Sequence, residues 1–262
     1  MVRRVLVLGL GDVGSAVAHR LFQAGELVVI QDGPHPVAAR RRMAFVDVVF
    51  DGEAQLTGVI ARQIAAAGLS RASWTIRYVP VTTAAPADVI KRLTPDVIVD
   101  ARMHKRGKPG HLRRLAQLTI GLGPGFVAGD NVDLAVETSW ENLGRILRRG
   151  PTLPFRGEPR AIAGHGRDRY VYAPVAGVFS SKHEIGDAVK EGEAVAGIGR
   201  RVIKAPLAGR LRGLTRPGVT VTKGAKVVEV VPTGAAEKVS GIGERPRRIA
   251  EAVLTLVREL KG

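Results

Sequence analysis

The chain has 262 residues, 45% of them hydrophobic and none of them cysteine, which suffices for two cored domains and excludes a disulfide framework, a thiolate metal site or a thiol relay. Forty Lys and Arg against 24 Asp and Glu give +16. That charge either steers phosphorylated ligands, acidic proteins or nucleic acid to the surface or is the solvated background of an Arg-, Ala-, Gly- and Val-rich composition, and with 4% aromatic residues, none interleaved with a basic run, stacking platforms for single-stranded nucleic acid are missing.

Residues 3–8 form a nearly continuous apolar run that reads as a strand and leads straight into Gly9-Leu10-Gly11-Asp12-Val13-Gly14; residues 15–24 then read as a helix. Strand, G-x-G-x-x-G and helix in that order give a dinucleotide-binding hypothesis. The first glycine makes the turn, the second admits a phosphate, and the third lets helix and strand pack. The helix start supplies amide donors for an anion. Residues 27–30 read as the second strand and deliver Asp32 to its end, where the carboxylate either accepts ribose hydroxyls or caps the turn at Gly33-Pro34. Arg40, Arg41 and Arg42 follow; they either meet a 2′-phosphate or pyrophosphate or line a solvated helix.

The alternation continues with a strand at 74–81, a helix at 86–93, and strands at 97–99, 118–120 and 134–136, which argues for a mostly parallel sheet. Ligands of such sheets bind beyond the carboxyl ends of the strands. Three strand exits carry chemistry: Asp100 with Arg102, His104, Lys105 and Arg106; the loop holding Gly121, Gly123 and Gly125, whose amides can form an anion nest; and Glu137. Each also has a plain structural alternative, namely a capped turn, a close chain crossing, and an ion pair of Glu137 with Arg145.

Residues 173–199 and 205–231 repeat one pattern at an offset of 32: Ala173, Pro174, Ala176, Gly177, Gly186, Val189, Gly192 and Val195 recur as Ala205, Pro206, Ala208, Gly209, Gly218, Val221, Gly224 and Val227. Glycines at fixed turns between alternating apolar residues describe a duplicated β module whose halves must clasp, as in biotinyl and lipoyl carriers. Lys204 directly precedes Ala205-Pro206 in extended chain, so no covalent biotin or lipoate is expected there. Pro246 opens a last helix with Ile249, Val253, Leu256, Val257 and Leu260 on one face. That stripe packs back on the first domain or closes a homodimer.

No nucleophile elbow, H-E-x-x-H or P-loop lysine occurs, and His19, His35, His104, His111, His165 and His183 are too scattered for a metal site. His104 or Lys105 is a candidate proton donor beside a nicotinamide. No run of 18 apolar residues exists and Met1-Val2-Arg3-Arg4 leads at once into a strand, so neither a signal peptide nor a membrane span is expected and a cytoplasmic location is.

With Gly9-Leu10-Gly11-Asp12, Ala18-His19-Arg20-Leu21, residues 96–102 with Lys105-Arg106, Gly121-Leu122-Gly123-Pro124-Gly125-Phe126, Val136-Glu137-Thr138, Asn142-Leu143-Gly144-Arg145 and both Ala-Pro repeats, the chain resembles the YqeB family of maturation proteins for selenium-dependent molybdenum hydroxylases. Gln31 stands where that family often has a strand-end carboxylate. The resemblance implies a cytosolic accessory factor for a xanthine-dehydrogenase-type client, acting on its cofactor or chalcogen. Without cysteine, such a factor would hold the cofactor while another protein supplies the chalcogen.

The expected fold class is α/β: a Rossmann-like, mostly parallel sheet domain at 1–150, a linker at 151–166, a biotinyl/lipoyl-like barrel-sandwich module at 167–232, and a C-terminal helix within 233–262. The expected function is maturation of a molybdenum hydroxylase by binding NAD(P), another phosphorylated nucleotide, or a molybdopterin-type cofactor. The candidate binding residues are Gly9, Gly11, Asp12, Gly14, Asp32, Asp100, Arg102, Lys105, Arg106, Gly121, Gly123, Gly125 and Glu137. An NAD(P)-dependent oxidoreductase and a basic nucleic-acid-binding protein are the alternatives.

Overall fold

The computed structural model describes residues 1–104, 109–157 and 159–260, and these form two compact units. Unit 1 comprises Met1–Pro36, Ala44–Arg156 and Ile242–Gly262, and unit 2 comprises Val37–Met43 and Gly157–Gly241.

In unit 1 the strands are β1 (Arg4–Leu8), β2 (Leu27–Gln31), β3 (Glu53–Leu56), β4 (Val59–Gln63), β5 (Val79–Thr82), β6 (Val97–Asp100), β7 (Leu118–Leu122), β8 (Val127–Ala128), β9 (Leu134–Val136), β10 (Ile146–Leu147) and β11 (Gly150–Pro151); the helices are α1 (Asp12–Gln23), α2 (Val48–Asp51), α3 (Pro86–Leu93) and α4 (Glu244–Glu259). Nine strands make one sheet in the order β10-β9-β7-β6-β1-β2-β5-β4-β3. Its centre is parallel, with Val5 opposite Val28 on one side and Val97 on the other. β1, β2, β5 and β6 are mostly apolar and buried on both faces, as central parallel strands require, with polar residues such as Gln31, Thr82 and Asp100 at their carboxyl ends.

Both edges run the other way. At one, β3 pairs antiparallel with β4 across Thr57 and Gly58, at φ 47° and 84°; two successive positive φ values make the hairpin twist that flanking strands favour. At the other, β9 reverses into β10, with Glu137 and Arg145 closing the turn through backbone bonds. α4 lays Ile249, Val253, Leu256 and Val257, all at most 1% exposed, along α1, and Arg20 pairs with Glu251 at 2.7 Å. Leu260, expected on the same stripe, is instead the C-cap residue and accepts a hydrogen bond from Arg3 through its carbonyl.

Unit 2 contains β12 (Tyr170–Tyr172), β13 (Gly177–Ser180), β14 (Ala188–Val189), β15 (Ala194–Ile198), β16 (Arg201–Lys204), β17 (Gly209–Leu214), β18 (Thr220–Val221) and β19 (Lys226–Pro232). They form two four-stranded sheets, β12-β19-β17-β14 and β16-β15-β13-β18. The 32-residue offset reappears in the starts of β13 and β17, β14 and β18, and β15 and β19, and each half of the repeat lends strands to both sheets. Phe179, Ile198, Leu211, Leu214, Val221 and Val230 fill the core between them, each at 0% exposure. The turn from β15 into β16 holds Gly199 and Arg200, whereas Lys204 lies opposite Ala194 at the far end of the pairing.

The fold class expected from the sequence is therefore corrected. The large sheet is mixed: six of its eight pairings are parallel, as expected, but both edge pairings are antiparallel, and the arrangement is not Rossmann-like. Among the described residues there are four helices, one of them four residues long, too few to cover a doubly wound sheet, and the path from β7 to β9 contains no helix. Nor is unit 2 a biotinyl/lipoyl-like barrel module appended to the chain: it incorporates Val37–Met43 from between β2 and α2. The cause of the misreading is physical. Apolar alternation marks a strand without marking its direction, and direction is set by turns such as Thr57-Gly58 and by pairings far apart in sequence. Among the described residues no helix is long and apolar enough to cross a membrane.

Candidate functional site

At the carboxyl end of β1 the backbone of Gly9 sits at φ 107°, and its amide donates to the Gln31 carbonyl at 2.8 Å. A methyl group on Gly9 would lie 2.9 Å from the Ala101 carbonyl carbon, and one on Gly14 would lie 1.9 Å from the Gly9 oxygen. These two glycines let β1, β6 and the first turn of α1 approach each other. Gly11 is different. It is the N-cap of α1 at φ −67° and has no side chain to cap the helix, the Asp12 carboxylate accepts the Val13 amide at 3.0 Å, and a methyl group on Gly11 would meet nothing within 4 Å. Beneath the turn, the buried Ser15 hydroxyl donates to the Leu10 carbonyl at 3.0 Å and accepts the Phe45 amide at 2.9 Å. The sequence reading passed over Ser15, although a serine directly after the third glycine, on the inward face of a helix, was a usable signal.

Asp32 stands at the end of β2 and clasps the same turn. Its two carboxylate oxygens accept the amides of Leu10 at 2.6 Å and Gly33 at 2.7 Å. A carboxylate has about four lone-pair sites, so each oxygen keeps capacity for another donor. Gln31 is buried and spends its side-chain amide on the carbonyls of Asp32 and Ala84, both at 3.0 Å.

β6 ends in a buried carboxylate. Asp100, at 0% exposure, accepts Nε of Arg102 at 3.0 Å, Nη2 at 2.5 Å and the Arg102 amide at 3.1 Å, and lies 3.3 Å from Nε2 of His104. Burial alone would raise its pKa; hydrogen bonds from His104 and Arg102, together with the guanidinium charge, outweigh burial and hold the carboxyl below its ordinary range. Arg102 is held firmly protonated, first by its hydrogen bonds to Asp100, with further help from the charges of Asp100 and Asp32. The Arg102 side chain keeps 33% of its surface, so a fixed cation faces solvent in the field of Asp32. The His104 ring packs edge-on against Phe126, with centroids 6.0 Å apart.

The expected glycine nest does not present free amides at its first two positions. Gly121 lies within β7, buried, and a methyl group there would enter the Phe126 ring at 2.2 Å; Gly123 is closed over by Thr138, and its amide donates to Val136 at 3.1 Å. Both positions serve close packing. Gly125 is exposed, and its carbonyl accepts Nδ2 of Asn131. Glu137 is buried and accepts the Leu153 amide at 2.7 Å; the contact with Arg145 is between backbones. The structure thus groups Gly9, Gly11, Asp12, Gly14, Asp32, Asp100 and Arg102 about the ends of β1, β2 and β6, while Gly121, Gly123 and Glu137 are engaged in the chain's own packing. Lys105 and Arg106 lie outside the described residues.

Arg40, Arg41 and Arg42 are bonded within unit 2. Arg40 pairs with Glu229 at 2.7 Å, Arg41 donates to the Leu214 carbonyl at 3.0 Å, and Arg42 donates to the Ile185 carbonyl at 2.5 Å and to Glu184 at 2.8 Å. A cavity of about 350 Å³, bounded by residues 180–183 and 194–197, also belongs to unit 2; it is shallow and open and contains none of the candidate residues.

No family model matches the chain. Among solved structures it is similar to the product-bound ectoine utilization protein EutE (DoeB) of Ruegeria pomeroyi, at 14% identity over 88% of this chain and 86% of that one with a TM-score of 0.29. It is also similar to a succinylglutamate desuccinylase/aspartoacylase of Rhodobacter sphaeroides, at 14% identity over 78% and 57% with a TM-score of 0.22. Likenesses this slight carry nothing over to this chain. Over 254 residues, 95% of its length, the chain is 36% identical to the Escherichia coli (strain K12) protein named "Uncharacterized protein YqeB", of which it spans 46%. That similarity, running along nearly the whole chain and about half of the relative, supports the resemblance to the YqeB family.

Proposed function

We propose that the turn from β1 into α1 grips the phosphate of a nucleotide- or pterin-type ligand, and that the chain acts as an accessory factor that holds such a ligand for a client molybdenum hydroxylase. The observation that carries the first part is Gly11: an N-cap residue without a side chain at the start of a twelve-residue helix, with open space where a side chain would be. Helix amides and the macrodipole favour an anion at that point. Asp32, with lone pairs to spare, suits a sugar hydroxyl, and Arg102 supplies a positive charge whose protonation Asp100 secures. These residues fit a phosphate-bearing group. A nicotinamide dinucleotide would bring hydride chemistry, but the residues around Gly11 need only hold and orient it.

The second part rests on the YqeB resemblance and on the absence of cysteine. A chain with no thiol can position a cofactor but cannot relay sulfur or selenium through itself. Two measurements test the reading. Calorimetry against NAD⁺, NADP⁺ and mononucleotides should detect a ligand that Gly11→Ala weakens at least tenfold. Deletion of the gene should abolish client hydroxylase activity while the hydroxylase polypeptide persists; full activity in the deletion strain would remove the maturation role.

A further inference from the structure

Unit 2 encloses a cluster of arginines around one carboxylate. Glu229 on β19, at 0% exposure, is bonded by Arg40 through Nε and Nη2 and by Arg169 through Nη1; Arg212 lies 3.6 Å away and Lys226 3.8 Å away. Four cations therefore draw on a single buried acid. Arg169 is 2% exposed and Arg212 7% exposed, and the Nε of each is buried without a hydrogen-bond acceptor. For Arg212 the deficit extends further: among the described residues its guanidinium makes no hydrogen bond, only the 3.6 Å ion pair and a through-space attraction to Glu237.

This arrangement is built into the strands. Leu211 of β17 faces Val230 and Gly213 faces Glu229, so Arg212 is the extra residue of a β-bulge, a device that re-aims a side chain. Gly213 makes room beside it: a methyl group there would stand 3.0 Å from Glu229 Cβ and 3.2 Å from Ala39 Cβ. The Tyr170 ring lines the same cluster, with the Arg169 guanidinium 4.3 Å and the Lys226 ammonium 4.4 Å from its centroid.

Buried guanidinium donors without acceptors are costly, and stable folds rarely retain them unless something else meets them. We infer that this cluster is a second anion site, distinct from the Gly11 turn, which takes a small oxyanion of the phosphate class on Arg212 and on Nε of Arg169. Guanidinium forks match the paired oxygens of such ions. Burial limits the guest to a free ion or the phosphoryl tip of a larger compound, and the β-bulge presents Arg212 to it.

The test is the thermal midpoint of the full chain titrated with inorganic phosphate, with phosphoethanolamine as a monoester, and with sodium chloride at matched ionic strength. The inference expects a saturable rise of several degrees with phosphate beyond that in chloride. The rise should persist in Gly11→Ala and be lost in Arg212→Met, whose midpoint without phosphate should equal or exceed that of the parent. Arg212→Lys, which keeps the charge without the fork, should weaken the apparent affinity at least tenfold. An equal response to the monoester would assign the site to an attached phosphoryl group, and a response to phosphate alone would assign it to the free ion. The inference is overturned by no saturable rise, by a rise undiminished in both Arg212 variants, or by one abolished in Gly11→Ala.

Discussion

Gly9, Gly11 and Gly14 occupy equivalent-looking places in one motif, yet a methyl group meets backbone at 2.9 Å at the first, open space at the second and a carbonyl oxygen at 1.9 Å at the third. Gly11→Ala should therefore leave the urea midpoint within experimental error while weakening ligand. Gly14→Ala overpacks the α1 start and should cost about 1–3 kcal/mol or more, and Gly9→Ala adds the strain of a positive φ, on the order of 1–3 kcal/mol. Equilibrium unfolding of the three variants separates a phosphate-admitting glycine from two packing glycines. Acid sensitivity is also decided by single residues. Arg40, Lys226 and Arg212 overcome the effect of burial on Glu229 and lower its carboxyl to about 2. Because the folded value lies below the unfolded one, the stabilisation is complete above the ordinary glutamate range near pH 4.5 and disappears as pH falls toward 2. Its size is on the order of 3 kcal/mol. Unfolding curves at pH 7 and pH 3 should show the parent losing more stability than Glu229→Gln; parallel losses would contradict the pairing. Asp100 follows the same sign, and Asp100→Asn should destabilise by about 1–3 kcal/mol, because the Arg102 it strips of a partner keeps 33% of its side-chain surface in solvent.

At the level of elements, α4 shows how far an amphipathic stripe carries a fold. Leu256 is 1% exposed in the helix that packs along α1, so Leu256→Ala should cost about 2–5 kcal/mol in thermal or urea unfolding. A cost under 1 kcal/mol would mean that α4 is not docked. Elements whose signals are local were legible in the sequence: the apolar run of β1, its glycine turn, the Pro86 start of α3 and the stripe of α4. Residues 74–81 read as one strand in the sequence, but the strand is Val79–Thr82. Before it, Arg71–Ser73 forms a 3-10 turn, and the Trp74 indole donates to the Leu93 carbonyl at the end of α3. The β3–β4 hairpin escapes the sequence reading although Thr57-Gly58 is a turn pair, because Glu53-Ala54-Gln55-Leu56 alternates over only four residues and Val59 to Gln63 does not alternate. The three successive arginines were unreadable for another reason. The acid that Arg40 meets is 189 positions further along the chain, and nothing in a charge run names so distant a partner.

The whole molecule presents +16 and, on the readings above, one anion site in each unit. The nucleic-acid alternative makes a different prediction for that charge: affinity falling steeply with salt and indifferent to Gly11. Gly121, Gly123 and Glu137 looked like ligand residues because they follow strands, but strand ends also need the chain's own turns, and Phe126, Thr138 and Leu153 occupy those positions. What remains of the candidate site is the smaller group around Gly11, Asp32 and Arg102, and the account depends on it. Isothermal titration calorimetry of the full chain against dinucleotides and mononucleotides, parent beside Gly11→Ala, tests it most directly. The account predicts saturable binding by the parent, at least tenfold weaker in the variant at an unchanged thermal midpoint. Binding of equal strength in both proteins, or none in the parent, would contradict it.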